Sequence, residues 1–233
     1  MHVFRTKNYE IIDEKKISKD LKEKCRHAYK VNKDFFGKDC ELYFAITISH
    51  TEKDFKRLAG KFYSPWVKAV ATKEKGIIMR SPSLFNRTYK KFGGTPKFTM
   101  VLAHEINHAY AYTYNLYKGP YWLTEGLAMY VAGQVPGKTF KKKTKYTKKK
   151  VRNLMFYRLI FRKLTDDMYA VHYGAVDFLV RNYGEEKLRR LIKSFSKNNK
   201  KRDFEKNFMR MFGLSYNKFL RVFTEEFWKS KRY

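Results

Sequence analysis

The sequence predicts an α+β fold, a small N-terminal mixed β-sheet followed by a helical C-terminal part. Three observations carry that reading. Short segments rich in β-branched and aromatic residues, bounded by turn residues, fall ahead of residue 81. Beyond Lys150 every segment places its apolar residues at helical spacing. Strands grouped first and helices grouped after them are the α+β order. At 233 residues, 43% of them hydrophobic, the chain is long enough to bury a real core, which excludes wholesale disorder.

Taken in order, 13–31 read as a charged amphipathic helix, with Ile17, Leu21, Cys25 and Ala28 on its packing face. Leu42 to Ser49 reads as a strand and Thr51 to Leu58 as a short helix. Trp66 to Ala71 and Gly76 to Arg80 read as two strands joined by a Thr-Lys-Glu-Lys turn. Gly93-Gly94 then breaks the chain, Thr95 can cap, and Pro96 suits a first helical position, so the next helix is expected to run to about Leu116. The Gly-Pro break within 117–120 turns a further helix, starting near Tyr121, back across it.

Lys138 to Lys150 lacks apolar periodicity and reads as an exposed lysine-rich loop. After it, helices are expected over about 151–164, 168–183, 185–196, 203–212 and 215–228, with Gly184 and Gly213 as terminators. Phe156, Phe161, Phe178 and Phe219 recur there at core spacing, as packing residues do. The expected division is a sheet-and-helix subdomain over 1–137, the loop 138–150, and a helical subdomain over 151–233 that completes a cleft.

The net charge of +30 favours contact with something anionic: nucleic acid, an acidic membrane surface or an acidic protein. A general lysine-rich surface is the plainer alternative. No apolar run of signal-peptide length occurs in 1–16, and nowhere do eighteen apolar residues run together, so neither a secretion signal nor a transmembrane helix is expected. Cys25 and Cys40 form neither a disulfide framework nor a paired metal motif, which suits a reducing compartment, and a cytoplasmic location is expected.

The segment carrying chemistry is His104-Glu105-Ile106-Asn107-His108, followed by Trp122-Leu123-Thr124-Glu125-Gly126. Side chains four apart on a helix share a face, so His104 and His108 can point both imidazoles at one ion. Glu105 stands about 100° round the axis from His104, poorly placed as a ligand but able to reach an attacking water as general base. Glu125 is the candidate third ligand, because the turn at 117–120 brings its helix back. Three protein ligands leave a position open, and an open position is what separates a hydrolytic zinc site from a structural one. Accidental coincidence of these residues on a core helix is the competing reading.

These motifs resemble those of the gluzincin metallopeptidases, in particular peptidases with a compact catalytic domain like that of aminopeptidases. His104-Glu105-x-x-His108 and Trp122-Leu123-x-Glu125-Gly126-x-Ala128 are similar to that group's two metal motifs. The likeness extends more weakly upstream through Trp66-Val67, Ile77-Ile78 and Ser81-Pro82, and downstream from Tyr169 through Leu179 to 183–188. It implies a zincin-like, thermolysin-like catalytic domain holding one zinc ion per chain on His104, His108 and Glu125. It also implies that Tyr169 donates a hydrogen bond to the oxyanion of the tetrahedral intermediate, with Tyr173 as the competing position. A phenol suits that role because it is neutral at pH 7. His172 lies within a turn of Tyr169 and either lines the cleft or serves structure. No acidic exopeptidase signature is found.

The expectation from sequence is therefore a zinc-dependent endopeptidase with Glu105 as base, binding an extended peptide along an edge strand. A basic protein acting on DNA- or RNA-bound proteins, with non-specific nucleic-acid contact, is the alternative, and a non-catalytic binding module is a third.

Overall fold

The computed structural model describes residues 1–37, 42–92, 97–135, 147–155, 166–196 and 201–229. It is α+β: a five-stranded mixed sheet at the N-terminus and a helical C-terminal part. The chain divides into two compact units, Met1–Tyr110 and Ala111–Tyr233.

The first unit contains β1 (His2–Arg5), β2 (Tyr9–Asp13), α1 (Lys19–Phe36), β3 (Phe44–Ser49), α2 (Glu52–Ala59), β4 (Ala69–Thr72), β5 (Gly76–Arg80) and α3 (Pro82–Phe92). It also holds most of α4 (Phe98–Thr113), the helix within which the division falls. The sheet order is β1-β2-β3-β5-β4. β2, β3 and β5 run parallel, while β1 and β4 are antiparallel hairpin partners at the two edges.

Two strands and one helix of this unit escape the sequence reading. β1 and β2 are only four and five residues long, and β2 carries Glu10 among its apolar residues and ends on a carboxylate. Asp13 was expected to open a helix. It closes β2 instead, buried, accepting the Lys15 N–H and facing His50 Nε2 at 2.7 Å. The helix starts later, where Ser18 Oγ accepts the Leu21 N–H at 3.1 Å, and it continues to Phe36, where Gly37 at φ 83° stops it. α3 follows β5 directly, with Pro82 at its first position, where the missing N–H costs nothing. The expected cap at Thr95 and Pro96 lies outside the described residues.

Arg80, 1% exposed at the end of β5, organises the hairpin side of the sheet. Its guanidinium donates to Glu52 through both terminal nitrogens, to the Val67 carbonyl at 2.7 Å and to the Pro65 carbonyl at 3.3 Å, and it lies 4.3 Å over the Phe55 ring. A buried guanidinium needs both its charge and its donors answered, and one side chain with two loop carbonyls answers them.

In the second unit, α4 ends at Thr113 rather than Leu116. Asn115 takes the left-handed conformation at φ 56°, which asparagine tolerates and which ends a helix. A single 3-10 turn, Leu116–Lys118, leads to Gly119 and Pro120, and α5 (Tyr121–Val131) starts where expected. Then come α6 (Lys148–Met155), α7 (Asp166–Tyr183), α8 (Glu185–Lys193), α9 (Lys201–Phe212) and α10 (Tyr216–Lys229). Lys148–Lys150, expected in a loop, form the first turn of α6, capped by the Thr147 hydroxyl accepting the Lys150 N–H at 3.1 Å. The rest of that loop, and Phe156 and Phe161, lie outside the described residues. The core here is aromatic, with Phe178, Phe208, Phe219 and Phe223 buried together. Among the described residues no helix is long and apolar enough to cross a membrane.

The Arg80 cluster gives the first prediction. Hydrogen bonding from Arg80 holds the Glu52 carboxyl below its ordinary range, with Tyr63 adding to the effect and burial opposing it. A carboxyl depressed in the folded state adds stability above its unfolded pKa of about 4.3, and that stability is lost as pH falls through the folded value. Glu52→Gln should therefore cost about 1–2 kcal/mol at neutral pH, kept modest because the Glu52 side chain is 46% exposed. It should also flatten the acid limb of stability. Urea unfolding of both proteins at pH 7 and near pH 3 checks this, and parallel acid limbs would refute it.

Candidate metal centre

α4 is apolar or buried nearly all round, so burial alone does not fix which residues face which way. Directional bonds do. Asn32 of α1, fully buried, donates to the carbonyls of Ala28 at 3.0 Å and Ala103 at 2.8 Å, and its Oδ1 accepts from Asn107 Nδ2 at 3.0 Å. One turn on, Phe36 stacks on Tyr110 with ring centroids 4.5 Å apart and planes 3° from parallel. These contacts set the rotation of α4, and with it the direction of His104 and His108.

The two histidines converge through Nε2, 3.1 Å apart. His104 is 8% exposed and His108 half-buried. With nitrogen–zinc bonds of about 2.0–2.1 Å, tetrahedral ligands stand roughly 3.3–3.4 Å apart, close to this separation. Glu125, 7% exposed, completes a group whose ligand atoms all lie within 4.8 Å of one another. That limit is wider than a tetrahedral edge, so closing onto one ion takes side-chain adjustment. Two imidazoles and a carboxylate form a donor set that zinc accepts, and three donors leave a position open. The residues fit a metal.

Trp122 and Gly126 hold α5 in place. Trp122, fully buried, donates from Nε1 to the Tyr216 hydroxyl at 2.8 Å and packs against Phe219. Burial pushes the Tyr216 phenol up to about 12, so it stays neutral while its oxygen accepts from the indole. At Gly126 the backbone of α7 comes so close that a Cβ would lie 2.2 Å from the His172 carbonyl oxygen. Only glycine permits this approach, and it sits beside Glu125.

Of the other expected site residues, Glu105 is half-buried on α4, one step round from His104. Tyr169 on α7 is half-buried, whereas Tyr173 is 8% exposed with its ring 6.3 Å from that of Tyr130. His172 does not line a cleft: it is fully buried, its Nε2 donates to the Leu154 carbonyl at 3.0 Å, and its ring meets Tyr121 edge-on. Burial holds its pKa below the ordinary imidazole value, against opposing pulls from the Leu154 carbonyl and the Glu125 carboxylate. Cys25 is buried in α1 and its thiol is pushed up to about 12 by desolvation, which makes it inert. Asn32, Asn107 and Gly126 act on the site without a role in the sequence reading. Asn107, an amide within the motif of a largely buried helix, was the available signal.

Gly126→Ala should destabilise the protein by about 2–3 kcal/mol, because a methyl group would have to displace helix backbone rather than a mobile side chain. It should also weaken metal binding by shifting Glu125. Unfolding midpoints and zinc titration measure the two effects, and a fully stable variant would contradict the packing argument. No known protein family matches the sequence and no curated protein sequence matches it, so the geometry and chemistry of its own residues carry the functional reading.

Proposed function

We propose that the protein is a zinc-dependent peptidase of gluzincin type, and an endopeptidase rather than an aminopeptidase. The observation carrying this reading is the convergence of His104, His108 and Glu125 within 4.8 Å, with Glu105 on the same helix as the two histidines. A zinc ion held there supplies a Lewis acid and lowers the pKa of water. Glu105 takes a proton from the attacking water and returns it to the leaving amine. Tyr169 donates its phenolic hydrogen to the developing oxyanion, a role that its partial exposure supports over the buried Tyr173.

The substrate is a peptide in extended conformation. β4 lies at an edge of the sheet, the place where an added strand pairs. We place the protein in the cytoplasm, since its two cysteines make no disulfide framework. A protease acting on nucleic-acid-bound proteins is the second reading, favoured by the net charge of +30.

Metal analysis should find one zinc per chain in the native protein and strong loss in His104→Ala. Glu105→Gln should keep the zinc yet lose digestion of an unstructured protein such as casein, because a base and not a ligand is gone. Zinc-loaded protein with no hydrolysis of any peptide would sink the proposal. Tyr169→Phe should lower kcat by about 10²-fold with a smaller effect on KM, the pattern of a donor used in the transition state. Full activity in that variant, with loss in Tyr173→Phe, would move the role one turn along α7.

A further inference from the structure

Helices α6 and α10 enclose a pocket of about 420 Å³ to which the peptidase reading gives no role. Among the described residues four basic side chains line it, Lys148, Lys149, Arg152 and Arg221, against one carboxylate, Glu225. The carboxylate is already engaged: Lys148 pairs with it at 2.5 Å and lies 4.9 Å over the Trp228 ring. Lys149, Arg152 and Arg221 make no ion pair among the described residues, so the pocket carries uncompensated positive charge.

The arrangement works against the stability of α6. Its first turn is Lys148, Lys149 and Lys150 with no acid, at the end where the helix dipole is already positive. Lys148 and Arg152 are like charges four apart on one face. Thr224, 7% exposed, also lines the pocket, and its Oγ1 has no hydrogen-bond partner among the described residues. Unpaired cations, a helix start that lacks an anion and a buried hydroxyl without a partner all call for the same kind of group.

We propose that this pocket binds a small phosphate-bearing anion. The Arg152 and Arg221 guanidiniums hold the phosphate oxygens, with Lys149 as a third charge. Asn153, Asn217 and Leu220 receive the group that the phosphate carries. The volume lies within the range of small-ligand sites, roughly 300–1,000 Å³. A nucleic-acid strand instead tracks an open groove with aromatic platforms, and among the described residues no aromatic side chain lines this pocket. The inference is independent of the peptidase reading, since it uses none of that site's residues.

Calorimetric titration of the full chain with inorganic pyrophosphate, and separately with a short single-stranded RNA, tests it. Pyrophosphate should bind saturably, one per chain. Arg152→Gln with Arg221→Gln should weaken it at least about tenfold, while Lys56→Gln with Lys61→Gln, the same charge change at exposed positions in the first unit, should leave the affinity within about twofold. Both arginines are exposed, and a thermal melt of each sample reports folding. Lys149→Gln, a single exposed change, should give a smaller loss in the same direction. Equal weakening in the two double variants would reduce the pocket to general charge attraction and overturn the proposal. So would tight binding of RNA with none of pyrophosphate.

Discussion

The candidate centre depends on a small amide cluster deep in the first unit. A helix that is buried nearly all round gains nearly the same burial in any rotational setting, so burial alone places α4 without orienting it. Asn32 removes that freedom, because its donors and acceptor meet Ala103 and Asn107 at one rotation only. A slip of α4 by one residue would turn it by about 100° and leave two amides unpaired in a dry interior. The penalty for a wrong setting, more than any gain from the right one, makes the histidine direction definite.

On α5 the constraint is steric. Trp122 anchors one side through its single donor, and Gly126 lets the α7 backbone press against the other. Glu125 lies between these two contacts along α5, which together fix the helix against α7 and α10. Both helices thus hold their candidate ligand side chains through neighbours outside the His104, His108 and Glu125 group. Such surrounding residues keep donor groups within the narrow tolerances that metal coordination demands.

Local features were legible in the sequence and long-range ones were not. The His104–His108 spacing and the break at Gly119 and Pro120 are properties of a few consecutive residues, and they can be read directly. The same holds for the glycine stops at Gly184 and Gly213, which show positive φ. β1 and β2 were hidden because strands so short gain their stability from pairing, and Asp13 looks like a helix opener until His50 is placed beside it. Lys148–Lys150 read as loop because they close a lysine-rich run that carries no apolar periodicity. Asn32 could not be found at all, since nothing near it in sequence hints at its partners.

Those partners lie 71 and 75 residues away along the chain. α4 can coil early from contacts within itself, but its rotational setting waits for α1 to close a long loop against entropy, at a cost growing with the logarithm of loop length. Helix geometry alone therefore puts the two imidazoles on one face, while the direction of that face is set by a residue far away along the chain.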